Sequence, residues 1–180
     1  MATGLLLLRL TIGLTLAAHG AQKLFGWFGG LGLDRTGQGL AALGFHPGRR
    51  HALVAGLVEV SGGLLIACGL ATPLAAAIFV SVMFVAAVGV HMRNGFFITE
   101  NGFEYNLVLA VAGLTLAFTG PGPLSLDAAL GLTGGEVWGL GALAAGVIGG
   151  AIQLAQRRPA APSMSERVID SSSDDRTSVA

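Results

Sequence analysis

The chain has 180 residues, 53% of them hydrophobic and only 11% charged, with a mean hydropathy of +0.73. A soluble domain carries about a quarter of its residues as charges, so this composition points to a membrane protein. Ten Lys and Arg balance ten Asp and Glu, leaving no basic surplus for nucleic acid, and the single cysteine, Cys68, excludes an internal disulfide or a CxxC redox pair.

Five apolar segments are long enough to be read as spans. The first runs from about Gly4 to Phe25. A cleaved signal peptide is the rival reading there, but a basic n-region is missing, Arg9 interrupts the apolar core and further spans follow. The loop Gly26–His51 is long and glycine-rich. Within it GQGLAALGFHP suits either a short interfacial turn of helix, with Trp27, Phe28 and Phe45 at headgroup depth, or a flexible loop with aromatic anchors. The second span covers about Ala52 to Leu70. Gly69 is expected to end it, with Thr72 as N-cap and Pro73 in the first turn of the third, which reaches about His91. The fourth runs from Glu104 to Thr119 and stops at Gly120-Pro121-Gly122-Pro123. Val137–Ala155 makes a fifth, although its many glycines weaken helix propensity. From Arg157 the chain turns polar and rich in Pro and Ser, and disorder is expected.

Loop charges suggest an orientation. The ends of odd-numbered spans carry Lys23, Arg35, Arg49, Arg50, Arg93, Arg157 and Arg158, whereas the opposite side has Asp127 and Glu136. The positive-inside rule then predicts the N-terminus outside and the C-terminus in the cytoplasm of a multi-pass plasma-membrane protein.

Charges inside the spans are costly and therefore informative. At about 100° per residue, Arg9, His19 and Lys23 fall within a helical sector of roughly 80°, with Gly13 and Gly20 on the same side. Small residues beside charges describe a face pressed against other helices. Glu59 lies roughly 10 Å into the second span from the basic side, a depth similar to that of His19. His91 closes the third span at that side and Glu104 opens the fourth. The expectation is a cluster of His19, Lys23, Glu59, His91 and Glu104 at one level of the bundle. Arg9, near the opposite surface, is expected to pair with Asp127 as a structural clamp. His46, His51 and Glu100 are read as solvated loop residues. The cluster itself is open to three readings: an ion-pair network fixing helix register, a polar pocket for a quinone, or a metal or haem site, for which a ligand motif is missing.

Several blocks resemble the DoxX family of small membrane proteins. They are RLTIGLTLAAHGAQKLFGWFGG from Arg9, GLVEVSGGLLIACG from Gly56, VHMRNGFF with GFEYN after it, and FTGPGPLSLD from Phe118. The likeness extends from about Leu5 to Leu132. It implies an all-α polytopic membrane helix bundle: a four-helix core in residues 1–132, to which this chain adds a fifth transmembrane helix in 133–156 and a cytoplasmic tail in 157–180. It also implies that Arg9, His19, Gly20, Lys23, Glu59, Gly62, Gly63, His91, Glu104 and Asp127 are the family's polar and glycine positions, with Gly20, Gly62 and Gly63 serving helix packing. Some members are named for a quinol oxidase or a thiosulfate:quinone oxidoreductase. A mycobacterial relative is associated with a sulfurtransferase and a superoxide dismutase.

The expected function is accordingly that of a membrane subunit of a redox complex, accessory or electron- and proton-handling, with a quinone as the possible cofactor. Soluble sulfurtransferase, dismutase or oxidase subunits are the implied partners besides membrane lipids and a second copy of the chain. A non-catalytic scaffold or assembly factor is the alternative. A small-molecule carrier is disfavoured by the nearly bare middle of spans two to four.

Overall fold

The computed structural model describes residues 2–158, and those residues fold as a bundle of helices without strands. Of the tail expected from Arg157, only Arg157 and Arg158 are among the described residues. The helices are α1 (Ala2–Phe25), α2 (Gly32–Ala42), α3 (Gly48–Cys68), α4 (Thr72–Ala86), α5 (Glu104–Thr119), α6 (Leu126–Ala129) and α7 (Glu136–Ala155). Helix α4 continues through a π-helical stretch, Ala87–His91, and a 3-10 turn, Met92–Asn94. Among the described residues, four helices, counting Thr72–Asn94 as one, are long and apolar enough to cross a membrane. The 16 residues of α5 are also apolar but span only about 24 Å.

The core gathers Ile12 and Leu16 from α1, Ile66 from α3, Phe79 and Met83 from α4, and Leu109 and Leu116 from α5. In lipid the gain from burying such side chains against each other is packing rather than release from water, so close approach of backbones decides which helices pair. The most extensive pairing is α1 with α3. Two glycine pairs seven residues apart set it: a Cβ on Gly13 would lie 2.6 Å from the Gly63 carbonyl oxygen, and one on Gly20 would lie 2.6 Å from that of Gly56. Gly62 faces the other way, where a Cβ would lie 2.5 Å from Ile78 Cγ2 of α4.

The glycines of α7 have the same purpose. Gly146 lies against Val80 and Gly150 against Phe84, both on α4, while Gly139 lies against Phe118 on α5. They lower helix propensity, yet they allow α7 to press along the α4–α5 side of the bundle, where Ala142 joins Ala76, Ala77 and Ala117 in a second buried cluster. The hydroxyls of Thr115 and Thr119 bond back to the carbonyls of Val111 and Thr115 at 2.8 and 2.9 Å, which satisfies them on an apolar helix.

Three expectations at the ends of the bundle need correction. The first loop holds a full helix, α2, which begins five residues before GQGLAALGFHP and packs on α3, with Gly37 against the Arg49 backbone. Phe45 is buried rather than at headgroup depth. It sits against the His51 ring at 5.4 Å, and the Arg157 guanidinium lies 5.6 Å from its centroid. His51, expected in solvent, bonds the Gln153 amide at 2.9 Å, and the Arg158 amide donates to the Gly44 carbonyl at 2.8 Å. The end of α7 is thus latched onto the α2–α3 turn, a contact between segments over 100 residues apart that no local pattern announces. Trp27 and Phe28 are exposed as expected, and so are His46 and Glu100.

Candidate functional site: two polar ends of the bundle

The polar residues divide between two ends. At the basic end, Lys23 in the last turn of α1 reaches Glu59 in the middle of α3, Nζ to Oε2, at 2.6 Å. The Glu59 side chain is 6% exposed and that of Lys23 28%. Antiparallel packing of α1 on α3 makes this pairing possible, because the Gly20–Gly56 contact brings the two backbones together one turn away from the charges. His19 lies in electrostatic range of Glu59 and meets Tyr105 edge-on, with ring centroids 6.4 Å apart. Tyr105 joins these residues without having been expected at the site. Its position beside Glu104 was the available signal.

His91 and Glu104 take a different part. His91 Nδ1 bonds the Asn101 carbonyl at 2.8 Å, and Glu104 Oε2 accepts from the Ile98 amide at 3.0 Å. Both fasten the connector 92–103, in which Phe96 packs edge-on against Phe97 and Phe103. The π-helical stretch before His91 directs the chain into that connector. The structure therefore brings Lys23, Glu59 and His19 together and uses His91 and Glu104 for a loop beside them. One further polar side chain is buried nearby: Asn106 of α5, whose amide approaches Met83 Sδ at 3.8 Å.

At the other end, Arg9 and Asp127 are almost completely buried, 1% and 2% exposed. They do not form a direct ion pair; among the described residues such pairs are Lys23–Glu59 and the exposed Arg49–Asp34. Arg9 donates instead to the Leu124 carbonyl and lies over Gly69, where a side chain would collide with it. Gly69 also ends α3 in the left-handed region at φ 62°, so that residue is doubly constrained. Asp127 accepts from the amides of Ala71 and Thr72, both at 2.8 Å, from 56 and 55 residues away. It thus caps the start of α4 from outside the helix, where Ala71, not Thr72, holds the N-cap position. A carboxylate there satisfies two free amides and faces the positive end of the helix dipole, a better partner than the Thr72 hydroxyl. The Asp127 amide in turn donates to the Gly69 carbonyl at 2.8 Å. The Gly-Pro turns do carry the segment after α5 back across the bundle, and it ties α1 to the α3–α4 turn.

These two constellations lie on a chain whose relatives are recognisable. A DoxX family model matches residues 4–92. "Inner membrane protein YphA" of Escherichia coli strain K12 is 34% identical over 128 residues, covering 68% of this chain and 87% of that protein. The chain belongs to the DoxX family. "Putative oxidoreductase CatD" of Bacillus subtilis strain 168 is 28% identical over 124 residues, 69% of this chain and 84% of that one. No solved structure matches. The DoxX match includes Arg9, Lys23 and Glu59 but ends at Met92, so Asp127 and α7 lie beyond it. Among the described residues, no three His, Cys, Asp or Glu side chains come together as a metal site requires.

Proposed function

We propose that this DoxX protein is an accessory membrane subunit of a redox complex, which meets the quinone pool through Lys23, Glu59 and His19. The observation that supports this reading is the half-open ion pair. Glu59 is held deep in α3 by a lysine that still reaches the surface, with a histidine alongside, and such a group can pass a proton between a bound carbonyl compound and water. The word oxidoreductase in the name of the Bacillus relative favours the same direction. On the positive-inside rule, this end faces the cytoplasm of the plasma membrane and the N-terminus faces outward. That side also carries the exposed α2 with Arg35, and Arg49 and Arg50 at the start of α3, and soluble partners such as a sulfurtransferase, a superoxide dismutase or an oxidase subunit are proposed to dock there.

The second reading is a non-catalytic scaffold, favoured by the mutual satisfaction of Lys23 and Glu59 at 2.6 Å. Affinity purification from native membranes in mild detergent, with mass spectrometry, tests both. Near-stoichiometric redox enzymes together with quinone reduction that falls in Glu59→Gln support the redox subunit. The same enzymes with quinone reduction unaffected by Glu59→Gln support the scaffold, and a protein that purifies alone defeats both.

A further inference from the structure

The latch at the end of α7 gathers positive charge from two remote segments. Arg157 and Arg158 follow the last turn of α7, while Arg49 and Arg50 open α3. The turn Leu43–Phe45 joins them. Arg157 Nε donates to the Leu43 carbonyl at 2.9 Å, and the Arg158 amide donates to the Gly44 carbonyl at 2.8 Å. The Phe45 ring stands 5.4 Å from that of His51, the residue after Arg50, and 5.6 Å from the Arg157 guanidinium. Gly44 permits this approach, because at φ 92° a Cβ there would lie 2.5 Å from the Arg158 carbonyl oxygen.

Of these four arginines, only Arg49 has an acidic partner among the described residues, Asp34 at 2.8 Å. Arg50, Arg157 and Arg158 are exposed cations without one. Their depth follows from the helices they end. Arg50 occupies the first turn of α3, and along the same face Val54, Leu57 and Leu64 are each about half exposed. Helix α7 likewise exposes Ile148 and Ile152 before it reaches Arg157. Both helices are long enough to cross a bilayer, so these apolar side chains face lipid tails and the arginines beyond them stand at phosphate depth. A small soluble anion would use the charges alone. A lipid uses the charges and the apolar stripe together.

We propose that Arg50, Arg157 and Arg158 bind the phosphates of an anionic phospholipid of the adjacent leaflet, with its acyl chains along Val54 and Leu57 of α3. Guanidinium forks match phosphate oxygens in pairs, and cations supplied by two helices suit a lipid with two phosphates, such as cardiolipin, better than one with a single phosphate. The site shares no residue with Lys23, Glu59 and His19 and does not depend on the redox reading. It leaves α2 and Arg35 to soluble partners.

The test uses the full chain in an uncharged detergent and follows the rise in its unfolding temperature as lipid is added. Tetraoleoyl cardiolipin should raise it saturably, whereas dioleoylphosphatidylcholine, with the same tails and no net charge, should not. Arg50→Gln and Arg158→Gln should each increase the cardiolipin concentration needed for half the rise about fivefold, the contribution of one arginine near an anionic surface. Arg157→Lys keeps the charge but loses the bond to Leu43, and should weaken binding by about threefold. An equal rise with phosphatidylcholine would overturn the proposal, as would half-rise concentrations unmoved in Arg50→Gln and Arg158→Gln. Arg157→Lys binding as well as the parent would mean diffuse attraction to charge rather than a built site. An equal rise with inorganic pyrophosphate alone would assign the arginines to a soluble anion instead of a lipid.

Discussion

The two ends of this bundle hold buried charge by different means. At the basic end, Lys23 and Glu59 satisfy each other, and the lysine keeps part of its surface in contact with the outside. At the other end, Arg9 and Asp127 are buried side by side yet bond to backbone: a carbonyl of the α5–α6 segment and the free amides of α4. Backbone groups freed at helix ends are fixed dipoles, so charge bound to them is part of the architecture. Charge bound to another flexible side chain at an open edge can change partner or protonation state. The Arg9–Asp127 end is thus structural, and the Lys23–Glu59 end is the one free to carry the proposed chemistry.

The largest test falls on the structural end. Asp127→Ala removes the cap of α4 and leaves Arg9 buried without a nearby carboxylate. A loss on the order of 3–5 kcal/mol is expected, as for an uncompensated buried charge, seen as a large drop in the detergent unfolding temperature or absence of folded protein. A near-native melt would mean that this end is not the keystone described. Next in size is Gly20→Ala. Its methyl would meet backbone of α3 and should cost about 1–3 kcal/mol, read as a lower unfolding midpoint.

The basic end should be more forgiving. Glu59→Gln keeps the shape of the side chain, and the freed Lys23 is already partly exposed. Roughly 1.5–3 kcal/mol, the worth of a hydrogen bond between charged groups, is the upper range expected in the same melt. Replacing both partners by apolar side chains, Lys23→Met with Glu59→Leu, should restore most of that stability. If quinone reduction in membranes stays lost while the fold recovers, the pair is chemical; if activity returns as well, the contrast between the ends collapses. The smallest effect belongs to Arg49→Ala at the exposed Asp34 pair, expected to change stability by less than about 1 kcal/mol. A larger loss would show that α2 depends on that contact.

The positions of the spans were legible because hydropathy, Gly69 and the Gly-Pro run act locally along the chain. Sector and depth arguments likewise brought Glu59, Lys23 and His19 to one level, since each depends only on helical geometry. They failed where a residue had a competing partner close in sequence. His91 and Glu104 reach connector groups 10 and 6 residues away, and those short loops close more readily than a contact across the bundle. Thr72 was misread as a cap because capping statistics describe the local chain, whereas the cap came from Asp127. Phe45 and His51 were misplaced for the same kind of reason, since the end of α7 that covers them is remote in sequence.

Composition and periodicity alone therefore determined that this protein is an all-α membrane bundle, where its long apolar helices lie and which charges are too deep to be accidental. They did so because the cost of putting polar groups in hydrocarbon acts on each segment independently. Which charges meet and which carboxylate caps which helix were decided only by tertiary structure. Those outcomes depend on how closely glycine faces let the helices approach, a property of pairs of segments rather than of either one.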